Sequence, residues 1–127
     1  MTNERIRALC LEKRGAYEDL PFGPAPICFK VGGRIFSELY PNMENRRVTL
    51  SCDAAFAHAL RLQYPDVVVP GYHCPERLKP YKNTIRLDAF SNDEVLAKLI
   101  LHAYENVIQK LPRREREALF KEDGHEA

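Results

Sequence analysis

Nowhere in this chain does an apolar run approach the roughly 18 residues that a membrane span needs, so no membrane partner is expected. The opening residues, MTNERIRAL, are charged from Glu4 onward and hold no signal-peptide core, so a cytoplasmic protein is expected. Cysteine is sparse: Cys10, Cys28, Cys52 and Cys74 stand far apart, and no C-x-x-C occurs. They read as small buried hydrophobes in a reducing compartment. Only His73 and Cys74 are adjacent, too little for a zinc site, and neither metal nor cofactor is expected. Phosphate loops, dinucleotide fingerprints and H-E-x-x-H are all missing. His73 and Cys74, as neighbours on extended chain, would point apart rather than form a nucleophile–base couple. Asp19 and Asp53 read as turn and cap. No catalytic residue is assigned, and an enzyme is not expected. An excess of one charge is lacking too: 19 Lys and Arg against 18 Asp and Glu leave a net +1. A dedicated nucleic-acid binder is usually more basic, so only a local patch would serve that role.

What is present suits one domain. The chain has 127 residues, 45% of them hydrophobic and 29% charged. A domain of this length buries about two-thirds of the surface its unfolded chain exposes, enough to fold without disulfide or metal. No linker divides it. The reading is a domain over residues 1–114 and a charged C-terminal tail over 115–127, acting as a monomer.

Leu20 to Tyr40 organises the rest. Pro21, Pro24 and Pro26 stiffen the approach, and proline is unsuited to a central strand. Ile27 to Val31 and Ile35 to Phe36 are apolar runs around Gly32-Gly33, which supply the positive φ of a tight hairpin turn. A helix is predicted over 3–14, capped by Thr2 or Asn3, with Ile6, Leu9 and Cys10 on one stripe. Arg47 to Cys52 alternates, with Val48, Leu50 and Cys52 on a covered face and Arg47, Thr49 and Ser51 on a polar one. Asp53 caps a helix to about Tyr64, with Phe56, Ala59, Leu60 and Gln63 on one side. Val67 to Val69 and Thr84 to Asp88 are short strands. Between them, Tyr72 to Lys82 reads as a loop with a helical turn at most. Ser91 with Glu94 forms a capping box for a long helix, with His102 on its solvent side. Pro112 ends it, and a further turn or two covers Arg114 to Lys121. Adjacent strands join by short turns. The fold class is therefore α+β: an antiparallel β-sheet packed against an N-terminal, a middle and a long C-terminal helix.

Several phrases recur in an order that resembles the MmcQ/YjbR family of small bacterial proteins. They are Pro21-Phe22-Gly23, Phe29 to Phe36, Leu50-Ser51-Cys52-Asp53, Leu60-Arg61, Tyr64-Pro65, Val69 to His73, Asn83-Thr84 and Lys110-Leu111-Pro112. They span about residues 8–114. The resemblance implies a CyaY-like fold and a DNA-binding role. Two places depart from it: Lys82 stands where the family often has tryptophan, and Ala103 where a serine commonly precedes the tyrosine of the last helix.

Two surfaces suit a nucleic acid. The loop at 72–82 mixes Arg77, Lys79 and Lys82 with Tyr72, Tyr81 and His73; cations neutralise phosphates and rings stack on exposed bases. Arg46, Arg47 and Arg86 would extend it into a basic strip. The plainer alternative is a solvated loop anchored by its tyrosines. Lys30 and Arg34 flank the hairpin turn and would touch a phosphate backbone as a wing, or else simply protect exposed sheet with charge. Arg113, Arg114 and Arg116 alternate with glutamates, the pattern of a solvent face. The partner expected is DNA; the alternative is a protein or peptide held in a groove between sheet and helix.

Overall fold

The computed structural model describes residues 1–125, with side chains through residue 121. Helix α1 (Asn3–Leu11) starts after Thr2, whose hydroxyl accepts from the Arg5 amide at 3.0 Å. It buries Ile6, Leu9 and Cys10, as the stripe predicts. A short strand, β1 (Tyr17–Asp19), follows; at three residues it is too brief to show a period in the sequence. The hairpin is β2 (Ile27–Val31) and β3 (Arg34–Tyr40). Val31 pairs with Arg34 across Gly32 and Gly33, whose φ values of +60° and +79° suit a tight hairpin turn.

Next come β4 (Arg47–Ser51), α2 (Ala54–Gln63), β5 (Val68–Pro70) and β6 (Lys82–Arg86). The strands form one six-stranded sheet in the order β1-β2-β3-β4-β6-β5. Every neighbouring pair is antiparallel. The α+β expectation holds, with the hairpin inside the sheet. Helices α3 (Asp93–Ile108) and α4 (Arg113–His125) complete the described chain. No helix among the described residues is long and apolar enough to cross a membrane.

One irregularity decides which side chains face where. Phe29 pairs with Ser37, but Lys30 pairs with Ile35, so Phe36 is an extra residue in β3. Such a bulge lets two successive residues share a side of the sheet. Phe36 and Ser37 are both fully enclosed. The Phe36 ring meets Tyr104 of α3 edge-on, centroids 5.5 Å apart. Beyond the bulge the alternation is reversed, and Ile35 emerges on the face away from α3. The core lies between that bulged sheet and the helices, around Phe29, Phe36, Leu39, Ile85, Leu96 and Ile100.

Four details correct the sequence reading. In α2 the buried positions are Ala57 and Leu60, not the Phe56–Ala59–Leu60–Gln63 side. The Asn83 amide donates to the Ala57 carbonyl at 3.1 Å, and only a small side chain lets sheet and helix approach that closely. The resulting rotation turns Phe56 onto His102 (centroids 4.6 Å), so His102 is half-buried rather than on the solvent side. The N-cap of α3 is Asn92, whose Oδ1 accepts from the Val95 amide at 3.1 Å; asparagine caps as well as serine does, and the helix starts one residue later. The tail after Pro112 is helical to His125 rather than for a turn or two, because Leu119 packs back onto the core beside Gly15. Residues 126 and 127 lie outside the described residues.

The turn yields a stability prediction. A Cβ on Gly32 would stand 2.7 Å from Leu111 Cδ2, whereas one on Gly33 would meet nothing within 4 Å. Both positions need positive φ, which costs an alanine about 1–2 kcal/mol. Urea unfolding of Gly33→Ala is expected to lose about that much, and Gly32→Ala measurably more. Equal losses would mean that Leu111 does not press on the turn.

Candidate functional site

The register fixes the outer face of the sheet, the side away from α3. Lys30 lies beside Ile35; Glu38, Thr49 and Thr84 form one cross-strand row; Tyr40, Arg47 and Arg86 form the next. This face is not simply solvated. Thr49 and Thr84 are buried, their hydroxyls 2.7 Å apart, and the Tyr72 amide donates to Thr84 Oγ1 at 2.8 Å. The chain from Gly71 to Tyr81 therefore folds down over the sheet. It ends in a 3-10 turn, Glu76–Tyr81, instead of projecting as a free loop.

The predicted cations do not merge into one strip. Lys30 pairs with Asp19 at 2.8 Å, and this hydrogen bond holds the Asp19 carboxyl below its ordinary range and raises the Lys30 amine. Arg46 is tied to structure: its Nε donates to Asn3 Oδ1 at 2.9 Å, Nη1 reaches Asp88 at 3.4 Å, and Nη2 donates to the Met1 carbonyl. Lys82 pairs with Glu38 at 3.3 Å, both side chains mostly buried. Lys79 pairs with Glu76 at 3.5 Å, but Glu76 is 92% exposed. A surface pair of that kind is worth about 0–1 kcal/mol and exchanges readily. Arg34 and Arg77 are exposed and form no ion pair with a described residue, but they sit on different elements, at the hairpin turn and in the 3-10 turn. Tyr81 is exposed beside Lys110, whose Nζ lies 5.6 Å from its ring centroid.

Arg47 is the exception. Its guanidinium stacks 3.7 Å from the Tyr72 ring centroid and 5.2 Å from that of Tyr40. No carboxylate among the described residues pairs with it, and its buried Nε has no hydrogen-bond partner. Tyr72 is wedged between Tyr40 (5.4 Å) and His73 (3.9 Å). His73 holds φ +56°, a left-handed conformation that histidine tolerates better than most residues.

Two hollows share Arg47, Tyr72 and His73. The first, about 360 Å³, is bordered by Arg47, Lys79, Arg86 and His73, with the Gly71 backbone and Asn45, and by no carboxylate. Arg47 and Arg86 are direct cross-strand partners there, and like charges placed so are mutually destabilising. The Arg86 guanidinium turns to the Asp66 carbonyl at 3.2 Å. The second hollow is a cleft of about 600 Å³. Phe22 and Pro26 come from the proline-rich approach, Ile35 from the bulged strand and Leu78 from the 3-10 turn. Glu38 and Lys82 lie at its floor. Between sheet and helices, the hollow lined by Leu50, Leu60 and His102 is only about 10 Å³.

The structure thus gathers Arg47, Tyr72, His73, Lys79 and Arg86, leaves Lys82 in the adjoining cleft, and ties Lys30 and Arg46 to structural partners. Ile35, Glu38, Tyr40 and Leu78 were not singled out from the sequence as site residues. Glu38 and Tyr40 carried a signal, since both fall on the polar phase of β3, but the bulge that brings Ile35 onto the same face has none.

Two titrations report on this face. Burial, and then the Glu38 charge, push the Tyr40 phenol up to about 12. An acid raised above its ordinary value near 10 favours the fold fully below that pH and loses this contribution as pH rises toward about 12. Absorbance titration of the phenols is therefore expected to lose a late step in Tyr40→Phe; an unchanged curve would contradict the placement. Burial likewise pushes the Cys10, Cys28 and Cys52 thiols to about 11. Cys74 is half-buried at the cleft. A disulfide reagent near neutral pH is expected to modify Cys74 rapidly and the other three only on unfolding; rapid reaction persisting in Cys74→Ser would refute this.

Comparison with known proteins agrees with this architecture. The YjbR family model matches residues 11–106. A crystal structure of Deinococcus radiodurans protein DR2400, with a DUF419 domain, superposes with a TM-score of 0.83 at 28% identity, covering 93% of this chain and 87% of that one. A protein from Pseudomonas syringae shares the fold at 17% identity and a TM-score of 0.62, over 81% of this chain and 96% of its own. No curated protein matches. With the whole sheet, α2 and nearly all of α3 inside the matched span, the chain belongs to the YjbR family.

Proposed function

We propose that this chain binds DNA without catalysing a reaction, and that it grips phosphates at the hollow bounded by Arg47, Lys79 and Arg86. The observation that carries the reading is the direct pairing of Arg47 with Arg86 on adjacent strands, beside a hollow bordered by no carboxylate. Two cations placed opposite each other cost stability unless an anion relieves them. Among the described residues, Arg47 keeps a buried donor without a partner, and Lys79 pairs with an exposed glutamate. Tyr72 supplies a ring beside the same cations. The family resemblance points the same way. This reading narrows the broad basic strip expected from the sequence, because Lys30, Arg46 and Lys82 have structural partners.

Fluorescence anisotropy with labelled DNA across a salt series tests the reading. Each phosphate contact contributes a slope of about −0.7 to −0.9 in log K against log salt. Three contacts give roughly a 20- to 40-fold loss between about 50 and 200 mM salt. Arg86→Gln should weaken binding and flatten the slope by about one contact. Its thermal stability should change little, because relief of the like-charge pair offsets loss of the hydrogen bond to the Asp66 carbonyl. Binding and slope unaltered in Arg86→Gln would overturn the site; a stability loss with unaltered binding would make Arg86 structural.

A further inference from the structure

The cleft adjoining the cationic hollow has no role in phosphate binding, yet the two share Arg47, Tyr72 and His73 as a common ridge. Resting on the phosphate-binding reading above, we infer that this cleft receives one unstacked nucleobase while its phosphate lies in the hollow.

Shape and charge both favour that occupant. At about 600 Å³ the cleft is within the range of small-molecule sites, and Phe22, Pro26, Ile35 and Leu78 give it apolar walls. Its floor is polar but balanced. Glu38 accepts from Lys82 at 3.3 Å and from the Tyr40 hydroxyl at 3.4 Å. A base edge that bonds both Glu38 and Lys82 leaves neither buried charge uncompensated. Nucleobases present adjacent donors and acceptors on one flat edge. A carboxylate beside an ammonium answers that pattern, with Glu38 accepting and Lys82 donating. On the floor Glu38 and Lys82 neutralise each other, which leaves Arg47 as the cleft's one unpaired charge, whereas Arg47, Lys79 and Arg86 border the hollow next door with no carboxylate. Charge complementarity therefore places the phosphate outside and the neutral base inside. Arg47, stacked on the Tyr72 ring, borders both hollows. A base paired and stacked within a duplex cannot enter such a cleft without being flipped out, so the arrangement selects single-stranded or extruded nucleotides.

The test compares three labelled probes on the purified full chain: a short single strand, an abasic strand with the same number of phosphates, and a duplex. Stacking and enclosure of one base are worth roughly 5- to 150-fold in affinity. The single strand is expected to bind at least about fivefold tighter than the abasic strand or the duplex. Ala25→Trp, at an exposed position on the cleft wall, should erase that preference while leaving duplex binding unchanged, which also shows that the variant is folded. Equal affinity for base-bearing and abasic strands would overturn the inference and leave the phosphate reading standing. A preference that survives Ala25→Trp would overturn it too. If no probe binds in a salt-dependent way, the phosphate reading fails, and this inference with it.

Discussion

The register of β3 is the constraint from which both faces of the molecule follow. Gly32 and Gly33 close the hairpin so that Val31 meets Arg34, and the bulge at Phe36 then resets the alternation partway along the strand. A slip of one residue in a sheet sends every side chain to the opposite face. Here one such step is built in. It places Phe36 and Ser37 together against the helices and releases Ile35 to the outer face. Without it, Phe36 would lose its edge-on contact with Tyr104 and the cleft would lose a wall. Removing a buried phenylalanine side chain costs about 3–5 kcal/mol, a large share of the stability of a domain this size. The core therefore enforces the bulge, and the bulge shapes the site.

The outer face shows how position rather than composition decides whether a cation is free. Asp19 and Glu38 occupy places on the sheet from which they reach Lys30 and Lys82. Arg46 braces the N-terminal segment through Asn3 and Met1. Arg47 and Arg86 share a row with Tyr40 and no carboxylate. The Arg47 guanidinium rests on rings, an interaction that holds its orientation without neutralising its charge. A chain with a net charge of +1 thus has a locally cationic hollow without the long field of a strongly basic protein.

Much of this was legible before any coordinates. The Thr2 and Asp53 caps, the glycine turn, the alternation from Arg47 to Ser51 and the apolar stripe of α3 are local signals, set by backbone geometry and side-chain period. The order of those elements carried the fold class, and the ordered phrases carried the likeness to the YjbR family. The site was legible in part: Tyr72, His73, Lys79, Arg47 and Arg86 were all marked from the sequence and do converge.

The chain by itself determined where helices and strands form and which stripes are apolar, because those preferences are settled among residues a few positions apart. Only the tertiary structure decided that Asp19 lies beside Lys30, that Glu38 lies beside Lys82 some 44 positions away, and that Arg47 faces Arg86 with Tyr72 across it. Those pairings depend on strand order and on a single bulge. Both are set by how the whole core packs, and no short window of sequence contains them.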